Sequence, residues 1–176
     1  MEGADRFEVL IPEERLQARI RELGARITAD YAGRSLVVVG VLKGAVMFMA
    51  DLVRHIDRPL SMEFLGLSSY GDHTQSSGVV RITQDMSRPI VDRDVLVVED
   101  IVDTGLTLSF LLENFRIRMP RSVRICTLLH KPVNTLKHVD LDYVGFTIED
   151  RFVVGYGLDW EQEYRNLPYI GCLRKP

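Results

Sequence analysis

The sequence contains little of what disulfide-rich, membrane-spanning or nucleic-acid-coating proteins require. Only two of its 176 residues are cysteines, Cys126 and Cys172, and both lie in apolar runs, which predicts buried, reduced thiols. No uncharged apolar run approaches the length of a membrane span, and the acidic N-terminus lacks an apolar signal core. The formal net charge of −3 does not support a general nucleic-acid binder. We therefore expect a cytoplasmic protein that binds neither membrane nor nucleic acid.

Length and the absence of common motifs narrow the class further. A chain of this length fits one domain, over residues 1–176, that buries a core of its own. The four histidines show no zinc-ligand spacing with either cysteine, and we interpret His130 as structural. No G-x-x-x-x-G-K-[ST] sequence is present, which excludes the common P-loop. The chemistry of the chain must therefore come from other residues.

Helical and strand patterns alternate along the chain. Apolar residues recur at three- and four-residue steps in three segments, which predicts helices over 13–31, 44–56 and 105–118. Short, mostly β-branched runs predict strands over 35–42, 60–67, 79–83, 94–98, 122–129, 142–148, 152–156 and 169–173, with a turn joining 142–148 to 152–156. This alternation predicts an α/β fold with a largely parallel central sheet flanked by helices. Ligands of such sheets bind beyond the carboxyl ends of the strands.

One polar segment interrupts the alternation. SSYGDHTQSSG at 68–78 is rich in glycine and serine and has no apolar period, which predicts a long loop. Loops of this length in a compact domain are often functional lids, and a hairpin tip without a role is the alternative.

The most informative segment is VLVVEDIVDTGLTL at 95–108, where an apolar strand runs into Glu99 and Asp100. Adjacent carboxylates can accept hydrogen bonds from the vicinal hydroxyls of a ribose, or hold a hard cation such as Mg²⁺. The following turn, 103–107, offers N–H groups and threonine hydroxyls at a helix N-terminus, which suits a phosphate. A simple N-capped helix is the alternative. A cap needs one acid or hydroxyl, whereas this segment supplies three carboxylates and two threonines.

These residues resemble the phosphoribosyl pyrophosphate motif of type I phosphoribosyltransferases. From about residue 7 to 173, the chain resembles the bacterial hypoxanthine phosphoribosyltransferases of that family. The resemblance implies the family's fold, with a small hood over the active site to which 150–176 contribute. It implies that Glu99 and Asp100 hold the ribose hydroxyls, partly through Mg²⁺. It implies that the 5′-phosphate lies in a turn made of Asp103, Thr104, Gly105, Leu106 and Thr107.

The resemblance also assigns a chemical role to one residue of that turn. Asp103 would be the acid–base group at purine N7. Leu106 departs from some relatives, which have lysine at this position. Because backbone donors matter most in such a turn, we expect this departure to have little effect.

Two strand ends match the family elsewhere. LKGA at 42–45 would bind pyrophosphate through its backbone, with Lys43 and Gly44 as contacts, and in the family the bond equivalent to Leu42–Lys43 is cis. By itself, Lys43 would be an ordinary surface lysine. Lys131, which ends the run CTLLHK, would contact the purine 6-oxo group. A lysine that snorkels to solvent is the alternative there.

The string RFVVGYGLDWEQEYR at 151–165 carries the base-specific part of the resemblance. Phe152 would stack on the purine, as an aromatic face can with any base. The backbone of Val153 would pair with the base edge, and Asp159 would lie at the purine and coordinate Mg²⁺. Arg165 would contact pyrophosphate. Phe152 considered by itself would more often be a core residue.

The activity implied is magnesium-dependent transfer of a phosphoribosyl group from phosphoribosyl pyrophosphate to N9 of hypoxanthine, and of guanine. The 68–78 loop, centred on Ser69 and Tyr70, would close to exclude water. Two alternatives stay open: a transferase that prefers xanthine, and an RNA-binding regulator of pyrimidine operons on the same fold. The acidic balance disfavours the regulator, because RNA phosphates need a basic face. Family members are dimers or tetramers, so we expect a homodimer or a homotetramer.

Overall fold

A computed structural model describes residues 7–70 and 79–173 of the chain. The strands in chain order are β1 (Phe7–Ile11), β2 (Leu36–Leu42), β3 (Leu60–Tyr70), β4 (Val79–Gln84), β5 (Asp94–Val102), β6 (Ser122–His130), β7 (Tyr143–Thr147), β8 (Val153–Val154) and β9 (Ile170–Leu173). The α-helices are α1 (Glu13–Asp30), α2 (Val46–Val53) and α3 (Leu106–Ile117), and a 3₁₀ helix spans Pro132–Asn134.

A six-stranded sheet with the order β4-β3-β2-β5-β6-β7 forms the centre of the fold. Strands β3, β2, β5, β6 and β7 run parallel, and β4 is antiparallel to β3. This arrangement confirms the predicted α/β class with a largely parallel sheet. The carboxyl ends of the parallel strands meet along one edge, where Lys43, Glu99, Asp100 and Lys131 lie at or just after a strand end.

Both faces of this sheet are covered, as the apolar runs predict. Along β2, Val38 packs in a cluster with residues of α1 and α2, whereas Val37 and Val39 pack in a second cluster with residues of α3. Along β5, Val97 belongs to the α3 cluster and Val98 to the α1 and α2 cluster. The carboxyl end of β5 is therefore held between two helical layers.

A three-stranded antiparallel sheet, which we call the hood sheet, has the order β1-β9-β8. Its first strand, β1, is absent from the elements that the sequence predicts. The strands expected over 142–148 and 152–156 are both present but belong to different sheets, because β8 pairs with β9 while β7 pairs with β6. The segment after residue 150 thus leaves the central sheet.

Most predicted elements are confirmed, with shifted ends. Helix α2 is shorter than predicted. Strand β3 extends to Tyr70 because it pairs with β4 as far as Tyr70 and Val79, so 68–70 are strand and not loop. Residues 71–78 lie outside the described residues. Both cysteines are buried and unpaired, as expected. Among the described residues, no helix has the length and apolarity needed to cross a membrane.

Candidate active site

Strand β5 brings two adjacent carboxylates, Glu99 and Asp100, to the edge of the sheet. Asp100 reaches the loop after β2, where a Cβ added to Gly44 would lie 1.6 Å from Asp100 Oδ2. Only glycine leaves room for this carboxylate. The predicted pyrophosphate loop and the acidic strand end are therefore in contact.

The protonation of these two carboxyls is shifted by burial. Glu99 is buried, and its Oε2 atom has no hydrogen-bond partner. Burial raises the pKa of Glu99 well above its ordinary value, and the nearby Asp100 charge raises it further. Burial also raises the pKa of Asp100. Hydrogen bonds with Glu99 and with the Ile101 N–H, which lies 2.7 Å from Asp100 Oδ1, oppose that rise. A cation or a hydrogen-bond donor would satisfy this pair.

Gly105 shapes the turn between β5 and α3. Its φ is +78°, and a Cβ here would lie 2.1 Å from the carbonyl oxygen of Lys137. The carbonyl of Thr104 accepts hydrogen bonds from the N–H groups of Leu136 and Lys137, both at 3.0 Å. The loop that follows β6 therefore holds the predicted phosphate turn in place.

A cavity of 270 Å³ lies at the N-terminus of α3. Its lining includes most of the residues that the sequence pattern groups there: Glu99, Asp100, Asp103, Thr104, Gly105 and Thr107. Leu106, the first residue of α3, is not part of this lining. Asp103 Oδ1 is buried without a hydrogen-bond partner. The cavity therefore combines unsatisfied carboxylate oxygens with a turn suited to phosphate.

The loop after β2 contains the cis peptide bond between Leu42 and Lys43 that the family resemblance implies. This loop also contacts the segment after β8. Gly157 has a φ of +102°, and a Cβ at this position would lie 2.0 Å from the carbonyl oxygen of Gly44. Two glycines thus allow the two backbones to touch. The predicted pyrophosphate loop is in contact with β5 on one side and with residue 157 on the other.

Charged side chains join the same two segments. Arg165 pairs with Asp159 at 2.7 Å and donates to the carbonyl of Gly157, also at 2.7 Å. Lys43 Nζ and Arg165 Nη2 both donate to Gln162 Oε1, at 3.2 and 3.3 Å. The structure therefore brings three predicted site residues, Lys43, Asp159 and Arg165, into one network. Gln162, which sequence reasoning missed, lies at its centre.

A second cavity, of 600 Å³, is lined by Phe152, Asp159, Trp160, Glu161 and Gln162. Phe152 is 49% exposed. Its ring lies edge-on to Trp160, with centroids 6.2 Å apart. An exposed aromatic ring beside a cavity is consistent with stacking on a base rather than with a core position. Val153 is buried in β8 opposite Cys172 of β9.

Lys131 directly follows β6, and its side chain is only 9% exposed. Its Nζ lies 3.6 Å from Asp150 Oδ1, which also accepts a hydrogen bond from Asn134 Nδ2 at 2.9 Å. A freely snorkelling lysine would be more exposed. The segment that leads into Phe152 therefore pairs with Lys131 through Asp150, a contact that no local sequence pattern indicates.

The predicted metal ligands are only partly grouped. Glu99 and Asp100 are neighbours, but within residues 7–70 and 79–173 no three His, Cys, Asp or Glu side chains form a site that could hold a metal ion by themselves. Asp159 instead accepts from Arg165 and from the N–H of Gln162. Mg²⁺ commonly takes one or two carboxylates plus substrate phosphates. The unsatisfied Glu99 Oε2 at the end of β5, beside Asp100, fits that mode of binding.

The lid residues Ser69 and Tyr70 occupy the carboxyl end of β3, opposite Val80 and Val79 of β4. Strand β3 is next to β2, which leads into the Lys43 loop. The rest of the predicted lid lies outside the described residues.

A family model described as the phosphoribosyl transferase domain matches residues 12–161. The chain belongs to this phosphoribosyltransferase family. It is 52% identical over 167 residues to a hypoxanthine-guanine phosphoribosyltransferase of Bacillus subtilis, covering 95% of this chain and 93% of the relative. It is 55% identical over 171 residues to the Mycobacterium avium protein of the same name, covering 94% and 84%.

A solved structure agrees with these relatives. The crystal structure of a hypoxanthine phosphoribosyltransferase from Staphylococcus aureus matches with a TM-score of 0.93 at 48% identity, covering 97% of this chain and 93% of that one. The fold is therefore that of the type I phosphoribosyltransferases, and the chain is a transferase.

Proposed function

We propose that the chain is a purine-salvage enzyme that transfers phosphoribosyl from phosphoribosyl pyrophosphate to N9 of hypoxanthine and guanine. The observation that carries the proposal is the 270 Å³ cavity, in which buried, unpartnered carboxylate oxygens adjoin a phosphate-type turn. The names of the relatives from B. subtilis and M. avium support the choice of base. The products would be IMP or GMP and pyrophosphate.

Substrate binding follows from the chemistry of each part of the site. Glu99 and Asp100 would accept hydrogen bonds from the two ribose hydroxyls, which supplies the donors that Glu99 Oε2 lacks. The 103–107 turn would bind the 5′-phosphate through its N–H groups and threonine hydroxyls. Lys43, the backbone of Gly44 and Arg165 would bind pyrophosphate.

The base would be held at the second cavity. Phe152 would stack on the purine, and the backbone of Val153 would pair with its edge beside Asp159. Lys131 would donate to the 6-oxo group, with Asp150 fixing its amine. This arrangement favours a 6-oxopurine over adenine, because a 6-amino group would face the lysine donor.

In the reaction, the N9–C1′ bond forms as the bond from C1′ to the pyrophosphate oxygen breaks. Asp103 would accept the proton at purine N7 as the base becomes a nucleophile. Lys43 and Arg165 would stabilise the charge that develops on the leaving pyrophosphate. Closure of the 68–78 segment would exclude water, which would otherwise consume the sugar donor.

Mg²⁺ is the cofactor that this site suits. Its ligands would be the carboxylates of Glu99 and Asp100, with Asp159 contributing once Arg165 turns to pyrophosphate. Bound there, Mg²⁺ would neutralise charge on the pyrophosphate oxygens. Excess chelator should therefore abolish turnover, and added Mg²⁺ should restore it.

The single domain, its hood formed with residues 150–176, would act in the cytoplasm as a homodimer or homotetramer, as the family resemblance suggests. Light scattering after size-exclusion chromatography would determine the oligomeric state, and cell fractionation would test the location.

A turnover panel tests the function. Hypoxanthine, guanine, xanthine, adenine and uracil are each incubated with phosphoribosyl pyrophosphate, Mg²⁺ and the purified chain, and pyrophosphate release is measured. We expect the highest kcat/KM with hypoxanthine and guanine. A clear preference for xanthine would replace the proposal with the xanthine-specific alternative. No turnover, combined with RNA retention at physiological salt, would favour the regulatory protein instead.

A further inference from the structure

Gln162 joins two cations that come from distant parts of the chain. Its Oε1 atom accepts hydrogen bonds from Lys43 Nζ at 3.2 Å and from Arg165 Nη2 at 3.3 Å. Two nitrogens bound to one oxygen cannot be more than about 6.5 Å apart. Like charges repel at that separation. The amide oxygen is the acceptor that the two cations share, while Asp159 and the Gly157 carbonyl hold Arg165 as well.

The amide of Gln162 is itself oriented by the turn that carries it. Its backbone N–H donates to Asp159 Oδ2 at 2.9 Å, and its Nε2 lies 3.4 Å from the same oxygen. The residue has a φ of +68°, a conformation in which the turn brings both groups toward Asp159. The nitrogen of the amide therefore faces Asp159, and its oxygen faces the two cations.

We infer that Gln162 is a positioning residue for the pyrophosphate end of the substrate, an inference that rests on the proposed function. Its neutral oxygen holds Lys43 and Arg165 together in the absence of substrate. A pyrophosphate oxygen then replaces it, because a charged acceptor binds a cation more strongly than an amide does. A carboxylate at residue 162 would form two ion pairs and compete with the substrate.

Two variants separate these effects. Gln162→Met keeps the approximate length of the side chain and removes the acceptor, whereas Gln162→Glu keeps the shape and adds a charge. Glu163→Gln, at the exposed neighbouring position, is the matched control. The measurements are the Kd of inorganic pyrophosphate with Mg²⁺ by titration calorimetry, the KM values for phosphoribosyl pyrophosphate and hypoxanthine, and the unfolding temperature.

Gln162→Met should weaken pyrophosphate binding about three- to tenfold, because Lys43 and Arg165 would have to be ordered when pyrophosphate binds instead of beforehand. Gln162→Glu should weaken pyrophosphate binding more than Gln162→Met does. The difference between the two variants should shrink at high salt, because the ion pairs are screened. KM for hypoxanthine, the unfolding temperature and the Glu163→Gln control should stay at wild-type values.

Three outcomes would overturn the inference. One is wild-type pyrophosphate affinity in either variant. Another is a rise in KM for hypoxanthine that matches the rise for phosphoribosyl pyrophosphate, which would show that Gln162 acts on the base and not on pyrophosphate alone. The third is a lowered unfolding temperature in both variants, which would make the residue structural. If wild-type protein converts no purine, the proposed function fails, yet the pyrophosphate titration still decides the role of Gln162.

Discussion

A buried carboxylate oxygen without a partner contributes nothing favourable to the folded chain, and Asp103 Oδ1 is such an atom. Its placement is explained if Asp103 exchanges a proton with the substrate. Asp103→Asn should therefore lower kcat about 10²–10⁴-fold, the usual contribution of a general acid–base group, while the unfolding temperature stays near that of the wild type. Asp140→Asn, at a fully exposed carboxylate, is the control. Near-full turnover in Asp103→Asn would contradict the assigned role.

Lys131 allows a separate test, of base selection. A lysine donor rejects a 6-amino group, and polar mismatches of this kind discriminate by up to about 10⁴–10⁵. Lys131→Met keeps the aliphatic length and removes the donor. We expect kcat/KM to fall much further for hypoxanthine and guanine than for adenine, with little change in KM for phosphoribosyl pyrophosphate. If the ratio of hypoxanthine to adenine is unchanged, selection must come from the backbone around Val153.

Some site residues were predictable because they are adjacent in sequence. Glu99, Asp100 and the 103–107 turn occupy one strand end, so a local pattern is enough to group them. Gln162 and Asp150 were missed because each contacts a residue from another segment, Lys43 in one case and Lys131 in the other. A glutamine in a turn carries no local signal of its contacts, and only the fold reveals its partners.

Among the elements, the turn between β5 and α3 can be tested through a matched pair of glycines. Both Gly33 and Gly105 have positive φ, but a Cβ at Gly33 would meet nothing within 4 Å, whereas one at Gly105 would lie 2.1 Å from the Lys137 carbonyl oxygen. Gly33→Ala should lower the free energy of unfolding by about 1 kcal/mol, because a residue with a Cβ is disfavoured in the left-handed backbone conformation.

Gly105→Ala should cost about 1–3 kcal/mol more, because the loop after β6 must move. It should also raise KM for phosphoribosyl pyrophosphate, since the turn proposed to bind the 5′-phosphate shifts with that loop. Urea unfolding and steady-state kinetics of both variants provide the comparison. Equal losses of stability in the two variants would show that the close approach at Lys137 is unimportant.

Elements with a strong apolar period were predicted well, and those that depend on distant pairing were not. α1 is recognisable from its apolar period, and β2 and β5 are recognisable from continuous apolar runs that are buried on both faces. β1 has a mixed pattern over five residues, and it is a strand because β9, from the other end of the chain, pairs with it. The extension of β3 to Tyr70 depends in the same way on pairing with β4.

For the whole molecule, the raised pKa of Glu99 predicts how the free energy of unfolding depends on pH. Burial raises the pKa of Glu99 in the folded chain, so between the unfolded and folded pKa values the folded state binds more protons. The free energy of unfolding contributed by this group therefore falls as pH rises through that range.

Glu99→Gln, which replaces the carboxyl by a neutral group of the same shape, should remove this fall. The variant should be more stable than the wild type at pH 8 and similar to it near pH 4, where the carboxyl is mostly protonated in both states. Urea unfolding across this range measures the difference, and Glu113→Gln on the exposed face of α3 is the control. A wild type that is more stable than Glu99→Gln at pH 8 would contradict the prediction.

The hood sheet pairs the first strand of the described chain with the last, Phe7 opposite Leu173. During translation β1 is made before every other described strand, yet it finds its partner only after β9 has left the ribosome. The central sheet has all of its strands once Thr147 has been made. A nascent chain that ends there carries Glu99, Asp100 and the 103–107 turn but none of the hood pairing. The residues proposed to bind the sugar phosphate are therefore made before most of those proposed to bind the base.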